Sequence, residues 1–440
     1  MQAAIDSATD RVSRHADLQT IAARPLRIAV WHNLPSGGGK RALFSQVKGL
    51  VAAGHHVEAW CPPSADQAFL PLSELVQEHV VPCAEIGWRP IRSRGLRRRL
   101  LANYRYTAHK IEALDAHCQQ CAREINQAQF DVLLAHPCMH LRVPAIGRYV
   151  NWPRVLYLQE PNRQLYEARI RVPWAALDLP DGFWRTPRLL YRFVRNALDV
   201  HALRRQAREE WRSARAFDLI LVNSHYSRES VLRAYDLEAR VCRLGVDAEH
   251  FRPAAVAREP FVVSVGSMHP QKGPERAVRA LATIASAHRP EIVWIANQVS
   301  PDYHKYVKRL ALAMGVHLSV HVGVSESDVI NWLSRATAMI YTPRLEPFGF
   351  APLEANACET PVVAVAEGGL RETIRSGENG VLVDDGDPAA LGAAVLRLLQ
   401  EPALARALGE AGRRLVVERW QWSAAVRQLE QYLEHVVESH

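Results

Sequence analysis

The sequence lacks any uninterrupted apolar run near the roughly 20 residues that a membrane-spanning helix needs, which excludes a helical integral membrane protein. Its opening stretch, "MQAAIDSATDRVSRHAD", has no apolar core of the kind a secretory signal carries, so the chain is expected to stay in the cytoplasm. Cysteine is scarce: Cys61, Cys83, Cys118, Cys121, Cys138, Cys242 and Cys358 are odd in number and scattered. That usage fits a reducing compartment and speaks against a disulfide framework. Cys118 and Cys121 form a lone CxxC with no second pair, and residues three apart on a helix simply share a face. Internal repeats and low-complexity tracts are missing, as are a Ser-His-Asp order and zinc-ligand spacing. The glycine-rich stretch "HNLPSGGGKRAL" is not a nucleoside-triphosphate P-loop, because Leu34 stands where the first glycine belongs and Arg41 where a Ser or Thr would hold magnesium. It also lacks the spacing of a dinucleotide fingerprint.

What is present is a chain of 440 residues, 48% apolar, long enough for two or three domains with large cores. The net charge of +8 is unevenly written. Arg89, Arg92, Arg94, Arg97, Arg98, Arg99 and Arg105 crowd one segment, and a second mixes arginines such as Arg188 with Trp174, Phe183, Trp184, Tyr191 and Phe193. The combination suits an anionic membrane surface; a solvated arginine face beside packed aromatics is the alternative, and nucleic acid is not expected as a partner.

Short β-branched runs alternate with helical patterns from end to end: "RIAVWHNL", "HHVEAWCP", "FDVLLAH", "RVLYLQE" and "DLILVNS", then "FVVSVG", "EIVWIA", "LSVHVGV", "AMIYTP", "PVVAVA" and "GVLVDD". This is the rhythm of parallel sheets covered by helices. It predicts an α/β chain of two doubly wound, Rossmann-like domains facing across a cleft: a loose tail over 1–24, an N-terminal domain over 25–248, a C-terminal domain over 249–417, and a last helix over 418–440 packing back toward the N-terminal domain. Ligands of open α/β sheets bind beyond the carboxyl ends of the strands, so chemistry is sought there. The glycine turn with Gly37 and Gly38, His136, Ser267, Lys272 and the stretch "RLEPFGF" all follow predicted strands.

Glu346 and Glu354 lie eight positions apart in "EPFGFAPLEANACETPVVAVAEGGLRETI", the first in a loop and the second on the helix that "APLEANA" begins. The N–H groups around Phe348, Gly349 and Phe350 would be the unpaired donors of that helix start, backed by its dipole, an anion site suited to a diphosphate. A carboxylate on the same helix can accept both hydroxyls of a ribose.

That stretch resembles the Glu-x7-Glu signature of the retaining glycosyltransferases of the GT-B fold, family 4 (group 1). "VGSMHPQKG" and "SGGGKRALFSQVKGLVAAGHHVEAW" are similar to the family's two phosphate-side loops, and "HPCMHLRVP" with "YLQEPNRQLYE" to a mannosyltransferase-like subset. The resemblance implies a metal-independent hexosyltransferase that uses a nucleotide-sugar as co-substrate, needs no cofactor, and acts on a saccharide or lipid-linked acceptor of the cell envelope or a polysaccharide. Glu346 would contact the donor sugar, Glu354 the ribose, and Lys272 the diphosphate leaving group, while His136 would lie near the transferred sugar. Gly37 and Gly38 would let backbone amides approach from the opposite wall. The chain departs from the family at Ser267, where relatives usually carry an arginine, and His269 or Arg344 are the nearby candidates to compensate. A catalytically degenerate nucleotide-sugar-binding subunit is the alternative this departure raises. Asp385-Gly386-Asp387 has the form of a metal-binding Asp-x-Asp, but Pro388 after it fits a turn and helix cap better.

Overall fold

The computed structural model describes residues 24–87, 99–166, 177 and 179–440. The expected tail up to residue 23, the arginines from Arg89 to Arg98, and Trp174 lie outside the described residues. Two all-parallel sheets organise the chain. The first has seven strands, β1 (Arg27–Asn33), β2 (His56–Cys61), β3 (Gln77–Val80), β4 (Val132–Cys138), β5 (Arg154–Tyr157), β6 (Leu219–Val222) and β7 (Arg240–Val241), in the order β3-β2-β1-β4-β5-β6-β7. The second has six, β8 (Glu259–Val265), β9 (Glu291–Ala296), β10 (Leu318–Val322), β11 (Ala336–Tyr341), β12 (Val362–Val365) and β13 (Gly380–Val383), in the order β10-β9-β8-β11-β12-β13. Central strands such as β1 and β4 are covered on both faces, so they read as nearly continuous apolar runs.

Strand order reverses at β1/β4 in the first sheet and at β8/β11 in the second. Connections leave on opposite faces at such a point, opening a crevice at the carboxyl ends of the two strands. The glycine turn follows β1 and leads into α1 (Gly38–Ala52); Ser267 and Lys272 follow β8; Glu346 follows β11 and precedes α5 (Phe350–Ala357). Between them α2 (Ala102–Gln127), the one-turn α3 (Arg163–Tyr166) and the long α4 (Pro187–Ala214) belong to the first domain. Cys118 and Cys121 on α2 are both buried free thiols in the core beneath the first sheet.

The closing helix α6 (Trp422–Glu438) lies against the first domain. The chain crosses between domains twice, and the two crossings run side by side: Val246 donates its N–H to the carbonyl of Trp420 at 2.6 Å. Beyond that point Val426, Leu429, Leu433 and Val436 join the core that contains Leu43, Val47 and Leu50 of α1. His55 ties the contact down, bonding Glu430 at 3.0 Å through Nε2 and accepting the N–H of Leu26 at 3.0 Å through Nδ1.

α1 and α6 come close together at Gly49. A Cβ there would lie 2.3 Å from Val426 Cγ2 and 3.0 Å from its Cγ1, and a β-branched side chain has few rotamers in which to retreat. Gly49→Ala is therefore expected to destabilise the protein, because overpacking of about 1–3 kcal/mol outweighs the roughly 1 kcal/mol that alanine gains over glycine inside a helix. Urea midpoints check this: the loss should largely vanish when Val426→Ala has already cleared the space, and strictly additive losses would contradict the packing account.

Candidate active site

The two switch points face each other across a cleft of about 520 Å³. On the first domain's side the turn at Gly37 and Gly38 comes close to the opposite wall. Gly37 has φ 133°, a region that disfavours side chains, and a Cβ on Gly38 would stand 3.3 Å from the ring of Phe350. The glycines thus let backbone approach the start of α5.

On the opposite wall, Lys272 ends a short turn after β8, and its Nζ donates to Glu346 Oε2 at 2.8 Å. Burial opposes the Lys272 charge, but the Glu346 carboxylate more than offsets it and holds the ammonium above its usual range. Burial likewise opposes the Glu346 charge, and Lys272 and the neighbouring Arg163 together hold that carboxyl below its usual value. Each group therefore keeps the other ionised. Gly349, at φ 99°, forms the N-cap of α5 with no side chain capping it and no acidic residue in the first turn. The first N–H groups of α5, which lack acceptors within the helix, open beside the ion pair.

One turn into α5, Glu354 faces the cleft with its side chain 9% exposed, 3.7 Å from Arg41 Nε. Burial pushes its carboxyl above the usual range, and the nearby Glu326 adds to this against the pull of Arg41. Arg41 also pairs with Glu326, so one arginine of α1 meets two carboxylates of the other domain. The same cluster borders a second cavity of about 710 Å³ between α1, α6 and the segment around Phe251.

The structure brings Gly37, Gly38, Ser267, Lys272, Glu346, Phe348, Gly349, Phe350 and Glu354 to one cleft. It does not bring His136 there. Strand β4 runs on to Cys138, so His136 lies within the strand on the face shared with Val132 and Leu134, fully buried and stacked on Tyr157. Burial, with His32 and Lys40 nearby, pushes its pKa down to about 3, and neither ring nitrogen has a hydrogen-bond partner among the described residues. The candidates to compensate for Ser267 also turn elsewhere: the His269 ring accepts the N–H of Gln271, and Arg344 approaches Glu275 at 3.9 Å. Arg41 and Arg163 also line the cleft, inside the family-like stretches "SGGGKRALF" and "YLQEPNRQLYE" but with no role assigned to them there, and so does Glu326, which lies in no motif.

Two metal-like groupings resolve differently. Asp387 caps the helix that Pro388 begins, accepting the N–H groups of Ala389 and Ala390 at 3.0 and 3.3 Å. Inside the first domain, His32, Cys61 and Glu78 bring ligand atoms within 4.8 Å of one another. Burial and Glu78 push the Cys61 thiol up to about 12, and the buried Lys40 ammonium already places positive charge beside Glu78. The set is therefore charge-balanced by a lysine and poorly suited to a cation.

Residues 246–415 match the family described as glycosyl transferases group 1. Among curated relatives, the chain is 30% identical to a D-inositol 3-phosphate glycosyltransferase of Catenulispora acidiphila over 49% of this chain and 56% of that one. It is also 30% identical to a GDP-mannose-dependent alpha-(1-6)-phosphatidylinositol monomannoside mannosyltransferase of Mycolicibacterium smegmatis, over 47% of this chain and 59% of the relative. The matches thus span little more than half the length of these relatives. Sucrose-phosphate synthase from Thermosynechococcus elongatus superposes with a TM-score of 0.69 at 20% identity, covering 95% of this chain and all of the other. The Anabaena protein HepE in complex with UDP-glucose gives 0.66 at 18% identity over 93% of this chain, again with the whole of the other covered. These likenesses establish the GT-B architecture.

The mutual dependence of Lys272 and Glu346 is measurable without a substrate. Lys272→Met should cost about 1–3 kcal/mol of unfolding free energy, below the figure for a fully buried pair because the Lys272 side chain remains 28% exposed. Lys272→Met with Glu346→Gln should cost less than the single substitution, and a double-mutant cycle in denaturant showing no coupling would refute the pairing.

Proposed function

We propose that this chain, whose residues 246–415 match the group 1 glycosyltransferases, moves a hexose from a nucleotide-diphosphate sugar to a saccharide or lipid-linked acceptor with retention of configuration. The observation that carries the reading is the Lys272–Glu346 pair beside an uncapped helix start, with a second carboxylate, Glu354, one turn further along. A diphosphate needs a cation and converging N–H groups, and both stand there. A ribose needs an acceptor for its hydroxyls, which Glu354 offers. The curated relatives of similar sequence include a GDP-mannose-dependent enzyme, and HepE was crystallised with UDP-glucose, so guanine and uracil donors are the first to test.

In this mechanism the bond from the sugar C1 to the diphosphate oxygen breaks with its electron pair going to the leaving group, whose charge Lys272 and the α5 amides offset. The acceptor hydroxyl oxygen bonds to C1 from the same face, and its proton passes to the departing phosphate. Glu346 fits contact with the sugar hydroxyls rather than attack on C1, because its carboxylate is already committed to Lys272. Positive potential from a lysine and a helix start serves in place of a divalent ion.

The test is nucleotide diphosphate release from a panel of nucleotide-sugars in EDTA, with calorimetry on the free nucleotide diphosphate. Glu354→Ala should weaken nucleotide binding, whereas Glu346→Ala should bind normally and lose turnover by about 100-fold or more. Binding should also fall as pH drops, beginning above the ordinary carboxylate range, because Glu354 must be ionised to accept hydroxyls and its pKa is raised; Glu354→Gln should remove that dependence. Equal nucleotide affinity in wild type and Glu354→Ala would remove the ribose assignment. Full loss of activity in EDTA, restored by manganese, would overturn the metal-independent scheme. Tight donor binding without turnover on any acceptor would favour the degenerate subunit that Ser267 raises.

The acceptor side of the proposal includes an anionic membrane surface. Among the described residues no helix is long and apolar enough to cross a membrane, but α4 and the turn before it expose Trp184 (61%), Phe193 (42%), Leu203 (46%) and Trp211 (43%) among Arg188, Arg192, Arg195, Arg204 and Arg208. Each basic side chain near such a surface contributes about 1 kcal/mol before screening, enough for reversible attachment by several together. Co-sedimentation should show binding to anionic but not neutral vesicles, weakened by salt and by Trp184→Ser with Phe193→Ser. Protein that stays in the supernatant under all conditions sinks the membrane reading.

A further inference from the structure

Glu346 follows a backbone turn that is not at rest. Leu345 has φ 49°, a left-handed conformation that a branched side chain adopts only when its surroundings impose it. Several groups of the second domain hold this turn. Arg344 N–H bonds the carbonyl of Gln271 at 2.9 Å, Leu345 N–H bonds Glu367 Oε2 at 3.1 Å, and the Glu346 carbonyl accepts from Gly369 at 2.7 Å. The remaining anchor comes from the other side of the cleft. Arg163 of the first domain donates through Nη1 to the Arg344 carbonyl at 2.9 Å and through Nη2 to the Leu345 carbonyl, while its Nε is held by Glu160 Oε2 at 2.6 Å. Gln159, just before Glu160, is itself left-handed at φ 65°, so the clamp joins two imposed turns, one in each domain.

We propose that Arg163 is a positioning residue of the donor site, contributed by the first domain: it fixes the Arg344–Leu345 turn that aims Glu346, so that the site is assembled only when the two domains stand against each other. The geometry is specific to a guanidinium. Two adjacent carbonyls and a carboxylate are met by three nitrogens of one planar fork, which a lysine ammonium cannot reproduce from a single point. The fork is committed to protein acceptors, so its part is to place Glu346 rather than to bind phosphate. The second donor-site cation implied by the serine at 267 is thereby not what Arg163 replaces. An error of about 1 Å in a group that must meet a reacting sugar typically costs 100-fold in rate, so a residue acting through the turn can matter as much as one touching substrate.

This rests on the transferase reading for its kinetic half, and the test therefore includes a readout that needs no activity. Hydrogen exchange in the full-length protein is followed over 343–350, with β8 at 259–265 as the internal reference. Arg163→Ala should speed exchange over 343–350 and leave β8 unchanged; Arg163→Lys, which keeps charge and stem but not the fork, should behave like Arg163→Ala. In the donor assay both variants should lose roughly 100-fold in kcat, with KM for the donor and calorimetric Kd for the nucleotide diphosphate within about threefold of wild type. Unchanged exchange over 343–350 overturns the proposal. So does a tenfold loss of nucleotide diphosphate affinity in Arg163→Ala that Arg163→Lys restores, since that would make Arg163 a phosphate cation. Faster exchange throughout the second domain in both variants overturns it as well, by reducing Arg163 to a general folding contact. A wild-type chain inert with every donor would instead count against the transferase reading, and the exchange result would still decide the role of Arg163.

Discussion

A carboxylate can be withdrawn from water at the floor of a cleft only if a cation is withdrawn with it, and Glu346 is held in that state by the Lys272 ammonium 2.8 Å away. The pair sets the layout of the second domain. Its members follow different strands, β8 and β11, which are neighbours because the sheet reverses its order there. A turn after β8 must present Lys272, a left-handed residue after β11 must present Glu346, and α5 must begin immediately afterward so that its N–H groups share the space. Because adjacent strands lie only about 4.8 Å apart, the turns after β8 and β11 emerge side by side.

The first domain contributes less chemistry and more geometry. Its glycine turn supplies backbone with no side chain in the way of Phe350, and Arg41 and Arg163 reach over to Glu354, Glu326 and the Arg344–Leu345 carbonyls. These contacts are polar and few, whereas the α1–α6 contact is apolar and continuous with the core. The chain therefore has one firm joint, at the doubled crossing and α6, and one polar closure, at the cleft. A polar closure can be exchanged for contacts to a ligand at small net cost, while a packed apolar joint cannot.

Much of this was legible in the sequence for definite reasons. Strands buried on both faces leave apolar runs that turns interrupt, so "FVVSVG" and "AMIYTP" mark β8 and β11 and hence where Lys272 and Glu346 must emerge. Glu354 was legible because a helix start and a carboxylate one turn on have a fixed spatial relation. His136 was not, because whether a strand stops at residue 136 or continues to Cys138 depends on pairing with β1, and two residues decide whether an imidazole meets solvent or the face under α1. Arg41 and Arg163 were illegible for a different reason. Their partners lie 285 and 182 positions away in Glu326 and Leu345, and no local pattern records a contact at that separation. The arginine-rich run from Arg89 to Arg98 could be read for charge, but it lies outside the described residues.

The position of α6 has a consequence for how the protein is made. Synthesis delivers the first seven strands and α1 long before Val426, Leu429 and Leu433, yet those late residues cover the α1 face around Gly49 and Val47. On the ribosome the first domain must wait, with an apolar helix face uncovered, while all of β8 to β13 is translated and folded, and at roughly 5–20 residues per second that interval lasts on the order of ten seconds or more. The nascent chain is thus exposed to aggregation at a place the finished molecule largely covers. Synthesis of α6, rather than completion of either sheet, is the event that closes the first domain.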